Sequence, residues 1–296
     1  MGSLRQDLLA AARAAVQDAL GRAPLASRPS DYGIVLGGSA ATEHADEYSG
    51  CDLFVFAFGA QDGPSDPWIW QTVRGARHPY RYTVLGLEGF LETAAAGDDG
   101  ALYLIRHGQI LHDPGGALSA AFAAAASRAD ELWAGKLAWR YRAFRQRRAS
   151  LAWSLRRGQP LAVLDNLRLL LEHALCCGYH LQGEPAPPPK WLFGGGLRTA
   201  AGRGLREPVL ALLSSLGELA TLGGSLNLRH NRMYRRVEAL QGALEAALLA
   251  AGHAVPGLAS LAGDSGAAED QSRAPRPLPR RVAALHAPAR PPGPPR

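Results

Sequence analysis

The chain has 296 residues, 47% of them hydrophobic, and carries a formal net charge of +6. This length is enough for one large or two ordinary domains with a substantial core, and the composition is typical of a globular protein. No apolar run in the sequence approaches the roughly 20 residues that span a bilayer, so we expect no membrane partner. The positive charge is compatible with a partner that carries phosphate groups.

The N-terminal part of the chain predicts a mixture of helices and strands. Its first 23 residues form an amphipathic pattern with acidic and basic residues interspersed, which indicates a helix rather than a targeting peptide. Short apolar runs bounded by turn residues then predict strands at 32–36, 53–58, 81–87 and 108–113. A Pro- and Gly-rich loop separates the second strand from the third, and "GLEGFLETAAAG" begins a helix. We therefore predict an α+β domain over residues 1–116.

After residue 116 the pattern changes to helices that are rich in alanine, leucine and arginine. The apolar periodicity predicts helices at 117–128, 130–157, 160–181, 205–222 and 228–251. The segment "QGEPAPPPKWLFGGGLR" interrupts them. We predict an all-helical bundle domain over residues 117–252. Residues 263–296 are rich in proline, alanine and arginine and cannot bury enough apolar surface to fold, so we predict a disordered basic tail.

The chain contains three cysteines, Cys51 and the adjacent pair Cys176 and Cys177. Their number and spacing fit neither a disulfide framework nor a zinc site. We therefore predict free thiols and a cytoplasmic location, because thiols stay reduced in that compartment.

The segment "IVLGGSAATEHADEYSGCDLFVF", residues 34–56, carries the strongest sign of a functional site. An apolar strand runs into a Gly-Gly-Ser turn, and Asp52 opens the next strand thirteen residues after Ser39. Glycine has no Cβ, so backbone N–H groups in such a turn can approach an anion closely. A phosphate cradle and a carboxylate for a magnesium ion would then lie at neighbouring strand ends, as metal-assisted phosphoryl or nucleotidyl transfer requires.

The same segment resembles the signature of the nucleotidyltransferase superfamily with the polymerase-β-type fold, which is Gly-Ser, a spacer, and then Ser-Asp-X-Asp-Leu. It is most similar to bacterial stand-alone nucleotidyltransferase-domain proteins, which include antibiotic-modifying enzymes. Two further segments support the resemblance. "LIRHGQILHDPGGAL", residues 104–118, is similar to the strand and turn that close the catalytic domain, and "PPPKWLFGGGL", residues 187–197, is similar to a Pro-X-Lys-Trp-Leu segment of the helical domain. The resemblance implies a nucleotidyltransferase-like mixed sheet followed by a helical bundle.

The resemblance also implies roles for the matching residues. The residues that would bind a nucleoside triphosphate are Gly37, Gly38, Ser39 and Ser49. Asp52 would bind Mg²⁺ and act in catalysis, transferring a nucleoside monophosphate to a hydroxyl of a small-molecule acceptor. Lys190, in the Pro-X-Lys-Trp-Leu segment, is a further candidate for the site.

The chain departs from the signature in its acids. Gly50 stands where the first acid of Ser-Asp-X-Asp is expected, and the strand "YRYTVLGL" contains no third acid. One carboxylate with triphosphate oxygens would hold Mg²⁺ only weakly, so two-metal catalysis in the usual arrangement is not expected. Asp46 and Glu47 would be substitutes if their loop folds inward, but a position facing solvent is the simpler interpretation for both.

Three functions therefore stay open. The first is a nucleotidyltransferase with a rearranged acid set, and the second is a catalytically inactive pseudoenzyme of the same fold that binds a nucleotide or a partner. The third is an RNA-directed helical module, because eight lysines and arginines with interleaved aromatics and no acid lie between Lys136 and Arg157. The simpler interpretation of that run is an amphipathic helix with core aromatics and solvated arginines.

Arg168 and His173 have the Arg-X4-His spacing of small helical RNases, which combine a general base with a stabilising charge. Five residues along a helix place two side chains about 140° apart, which does not suit joint action. A buried histidine with its hydrogen bonds satisfied is the simpler interpretation of His173.

Overall fold

The structure is a computed structural model that describes residues 2–59, 70–74, 79–224 and 227–252. The predicted tail at 263–296 and most of the predicted loop after the second strand lie outside the described residues. Within the described ranges the chain has the predicted α+β architecture, in which a five-stranded mixed sheet precedes a set of helices. No helix in these ranges is long and apolar enough to cross a membrane.

The sheet contains the four predicted strands and one that the sequence pattern did not predict. The strands are β1 (Tyr32–Gly37), β2 (Cys51–Ala57), β3 (Gln71–Val73), β4 (Tyr80–Gly86) and β5 (Gln109–His112). They lie in the order β3-β4-β2-β1-β5, with β2 and β4 parallel and the other neighbours antiparallel. The missed strand, β3, is a short edge strand whose residues are mostly exposed, so no apolar alternation marks it.

Nine α-helices lie in the described ranges. They are α1 (Gly2–Leu20), α2 (Leu87–Ala95), α3 (Asp99–His107), α4 (Ala117–Ala129), α5 (Trp133–Arg156), α6 (Pro160–His180), α7 (Pro189–Gly196), α8 (Ala200–Leu213) and α9 (Arg232–Ala250). The predicted helix at 205–222 was wrong at both ends, because α8 begins at Ala200 and a separate 3₁₀ helix spans Leu216–Thr221. The segment predicted as a break contains α7, which starts at Pro189, where the missing proline N–H would be unpaired in any helix.

The sheet is covered by helices on both faces. Successive side chains of a strand point to opposite faces, and in β1 Ile34 and Leu36 join a core with α1, whereas Val35 joins a core with α2, α3 and α4. On the second face the rings of Phe56 and Phe122 meet edge to face with their centroids 5.6 Å apart. Helix α4 thus packs on the sheet although it follows residue 116, and the division of the chain into two domains stays a prediction.

A second large core lies among the helices α5 to α9. Tyr141 and Phe144 of α5 are fully buried in it, so these two aromatics of the basic run are core residues, as the simpler interpretation expects. Trp153 differs, because 58% of it is exposed. All three cysteines are buried and unpaired.

Candidate functional site

The Gly-Gly-Ser turn lies directly against Asp52. Strand β1 ends at Gly37, whose cross-strand partner on β2 is Asp52. The next residue, Gly38, has a φ of +67°, and a Cβ at this position would lie 2.6 Å from Asp52 Oδ2. A Cβ at Gly37 would lie 2.4 Å from the ring of Phe54. Both glycines are therefore required by close approach, and the turn that leads to Ser39 is held beside the carboxylate.

Asp52 is bound by an arginine on the neighbouring strand. The parallel register of β2 and β4 places Arg81 opposite Asp52. Arg81 donates from Nε to Oδ1 at 2.5 Å and from Nη2 to Oδ2 at 2.9 Å, so its guanidinium engages both carboxylate oxygens. These hydrogen bonds raise the pKa of Arg81 above its ordinary value, so this residue is a permanent cation. Its guanidinium carbon also lies 4.6 Å from the centre of the Trp70 ring.

The loop before β2 uses its polar side chains to hold its own shape. Ser49 Oγ donates to Asp46 Oδ1 at 2.8 Å and accepts from the Asp46 N–H at 2.9 Å, while the N–H of Tyr48 donates to the same Oδ1 at 3.1 Å. Asp46 and Glu47 are exposed. At Gly50 an added Cβ would meet no atom within 4 Å, so the position at which the nucleotidyltransferase signature has its first acid has room for one.

The residues present do not fit a two-ion magnesium site. Among the described residues no group of three or more His, Cys, Asp or Glu is placed to hold a metal ion. Asp52 already has a cation on both oxygens, and Mg²⁺ requires oxygen ligands in near-octahedral geometry. Arg81 therefore already engages both oxygens that Asp52 would offer to a metal.

The loop after the glycine turn packs against the Pro-X-Lys-Trp-Leu segment. His44 stacks on Trp191 with ring centroids 5.0 Å apart and planes 12° from parallel, and burial lowers the pKa of His44. Lys190 Nζ lies 4.4 Å from the centre of the same indole ring. Arg198 adds an exposed ion pair with Glu43 at 3.4 Å. Lys190 thus lies beside the loop that begins at the glycine turn.

Comparisons with known proteins were made for the whole chain. No protein-family model matches it. No curated protein matches it. Among solved structures it is similar to a nucleotidyltransferase-like protein from Exiguobacterium sibiricum, with a TM-score of 0.46 and 13% identity over 80% of this chain and 74% of that chain. What Asp52 and Arg81 can do is therefore inferred only from their contacts in this structure.

A second charged cluster, which the sequence analysis did not identify, surrounds Asp99 at the start of α3. Lys136 and Arg140 of α5 contact its two carboxylate oxygens at 2.9 and 2.6 Å, and His180 Nε2 of α6 lies 3.0 Å from Oδ1. Burial alone would raise the pKa of Asp99, but His180, Lys136 and Arg140 outweigh it and hold that pKa far below its ordinary value. The cluster joins α3 to the α5–α6 pair.

Arg168 and His173 are not brought together. Arg168 is exposed and donates to Glu172 at 3.1 Å. His173 is buried, and its Nδ1 accepts from Arg140 Nη1 at 3.3 Å. Burial, reinforced by the positive charge of Arg140, lowers the pKa of His173 to about 4. His173 is thus a neutral, hydrogen-bonded residue at pH 7.

The sequence contained one signal for Arg81 that the analysis missed. The strand "YRYTVLGL" contains no acid, but its single basic residue, Arg81, is the partner of Asp52. An unpaired carboxylate is costly to bury, so the lone Asp52 at a strand start called for a cation on a neighbouring strand. For Asp99, by contrast, the partners come from positions 37, 41 and 81 residues further along the chain, and no local pattern links them.

Proposed function

We propose that this protein is a nucleotidyltransferase-like pseudoenzyme, which binds the phosphates of a nucleoside triphosphate at the Gly37–Ser39 turn without a magnesium ion and transfers no nucleotidyl group. The observation that carries this proposal is the bidentate hydrogen bonding of Arg81 to Asp52. An arginine at this position supplies, as part of the protein, the positive charge that a metal ion would otherwise bring.

Electrostatics favours this reading over the active transferase. A two-ion mechanism needs several carboxylates to offset the metal charge, whereas Asp52 and Arg81 sum to zero. A magnesium ion about 4 Å from Arg81 would be repelled by about 8 kcal/mol at an effective dielectric constant of about 20. The side chain of Arg81 is 46% exposed, so solvent screening reduces this repulsion, which still opposes the attraction that Asp52 alone would exert on the ion.

The same arginine supports binding of an anion. A guanidinium has five N–H donors, and Asp52 uses two of them, which leaves donors for a phosphate oxygen. Gly38 adds a turn in which no side chain blocks the backbone N–H groups, at the end of the strand next to Asp52. We expect the phosphates to lie between this turn and Arg81.

The test is calorimetric titration of ATP and of GTP, once with EDTA and once with MgCl₂. We expect the two conditions to give dissociation constants within about twofold of each other. Arg81→Gln removes a charge-assisted contact worth about 1.5–3 kcal/mol and should weaken binding at least about tenfold. The control Arg28→Gln removes an equal charge from an exposed position before the opposite end of β1 and should have no effect.

Asp52→Asn separates the pseudoenzyme from the transferase by the sign of its effect. If Arg81 binds the phosphates, neutralising Asp52 leaves nucleotide affinity unchanged or raises it, because the site becomes more positive. If Asp52 holds a metal, the same variant weakens Mg-nucleotide binding. Magnesium-dependent release of pyrophosphate by the wild-type protein, abolished in Asp52→Asn, would refute the proposal and establish the transferase.

A further inference from the structure

Two groups stand out among the basic residues of α5 and its C-cap. The helix has seven lysines and arginines and no acid. Three of the seven are tied to acids elsewhere in the fold: Lys136 and Arg140 to Asp99, and Arg148 to Glu238. These three stabilise the packing of the helix, and they account for part of its charge only.

A second group forms a continuous exposed surface. We name it the α5 stripe, and its members are Arg142, Gln146, Ala149, Trp153, Arg156 and Arg157. All six are exposed. With about 100° per residue they lie within an arc of about 100° on the helix, and from first to last they extend about 22 Å. The stripe is therefore one face of α5 and its C-cap.

The stripe has three positive charges that the fold does not neutralise. In the part of the chain that the structure describes, no ion pair involves Arg142, Arg156 or Arg157. Trp153 lies among them with 58% of its surface exposed. The guanidinium carbons of Arg156 and Arg157 are 5.0 and 5.9 Å from the centre of its ring. An exposed indole bordered by cations is the arrangement on which a nucleic acid base stacks while its phosphates pair with arginine.

We propose that the α5 stripe binds single-stranded RNA. Its length matches about six nucleotides of a stacked strand at 3.4 Å each. Stacking on Trp153 requires a base that is not already enclosed in a duplex, and unpaired bases of this kind are presented by the loops and ends of RNA. An acidic protein segment would satisfy the arginines but would make no specific use of the 58%-exposed indole. RNA satisfies both features of the surface.

The test uses the full-length protein and a fluorescein-labelled 12-nucleotide RNA without secondary structure, followed by fluorescence anisotropy over a series of KCl concentrations. We expect the logarithm of the association constant to fall linearly with the logarithm of the salt concentration, with a slope of about −2 for three arginine–phosphate contacts. Trp153→Ala should weaken binding by about fivefold or more without changing that slope, because it removes a stacked base but no charge.

A triple variant, Arg142→Gln, Arg156→Gln and Arg157→Gln, should abolish most of the affinity and bring the slope close to zero. A matched triple variant removes the same charge from other exposed helical or loop positions, namely Arg206→Gln, Arg229→Gln and Arg235→Gln. It should bind RNA like the wild type. Circular dichroism of both triple variants checks that they are folded alike.

Four results would overturn the proposal. The first is wild-type protein that does not bind the RNA at physiological ionic strength. The second is an equal loss of affinity in the two triple variants, which would show that the net charge of the protein, and not the α5 stripe, accounts for RNA binding. The third is a change of oligomeric state in the stripe variant by analytical ultracentrifugation together with unchanged RNA binding, which would make the stripe a contact between copies of this chain. Duplex DNA of the same length should bind more weakly than the RNA, and equal or tighter binding would refute the single-strand assignment.

Discussion

Replacing Gly50 and Arg81 together by aspartate is expected to turn the Asp52 site into a magnesium site. Position 50 has space for a side chain, since an added Cβ meets no atom within 4 Å. Position 81 lies opposite Asp52 in the parallel register of β2 and β4. The double variant therefore places three carboxylates around one point, and it removes the cation that now occupies it.

The expected size of the effect follows from the same geometry. Loss of the Asp52–Arg81 pair costs about 1 kcal/mol after discounting for solvent, because the Arg81 side chain is 46% exposed. Carboxylates on adjacent strands about 4.8 Å apart repel each other, which we take as a further ~1 kcal/mol at this partly exposed edge. A total of about 2 kcal/mol lowers the Tm of a chain of this size by about 4 °C in EDTA. Magnesium at about 100 times its Kd restores about 2.7 kcal/mol.

Thermal unfolding in EDTA and in MgCl₂ measures both effects. We expect the wild-type Tm to be the same in the two buffers. Only the double aspartate variant should have a higher Tm in MgCl₂ than in EDTA. The control is Gly50→Asn with Arg81→Asn, which has similar shape without the charges and should not respond to Mg²⁺. An equal rise of Tm in the wild-type protein would show that Arg81 does not exclude the metal. No response in the aspartate variant would show that the β2–β4 register does not bring the carboxylates together.

Three further predictions concern stability. Gly38→Ala forces a Cβ against Asp52 at a φ of +67° and should lower the free energy of unfolding by about 1–3 kcal/mol in urea titrations, whereas Gly50→Ala, with open space around it, should change it little. Burial and Arg140 lower the pKa of His173 to about 4, below its unfolded value of about 6.5, so the unfolded chain takes up this proton first as the pH falls. The free energy of unfolding should therefore decrease between about pH 6.5 and pH 4, by up to about 3 kcal/mol from this group. Urea titrations across that range should show a weaker dependence of the free energy of unfolding on pH for His173→Gln than for the wild type. The exposed control His230→Gln should show the wild-type dependence. Asp99→Asn leaves Lys136 and Arg140 without their buried counter-charge and should cost about 3–5 kcal/mol by the same assay; a loss below about 1 kcal/mol would mean that the cluster does not hold α3 to α5.

The sequence by itself determined the main elements and the position of the candidate turn. The apolar run of β1 is buried along its whole length and that of β2 at most of its positions, so both strands appear in the sequence as nearly continuous apolar segments. The Gly-Gly-Ser turn and Asp52 were paired correctly because a short antiparallel connection brings the end of one strand beside the start of the next. β3 left no such signal, because Gln71 and Thr72 lie on an exposed edge.

Only the tertiary structure decided what Asp52 contacts and which arginines of α5 face solvent. The Asp52–Arg81 pair depends on a parallel register between β2 and β4, and a shift of one residue would place the guanidinium on the other face of the sheet. The basic run of α5 looks uniform in sequence, yet Arg140 is held by Asp99 while Arg142 is exposed. Pairing of charges depends on distances between segments far apart in the chain, and residue order alone does not contain those distances.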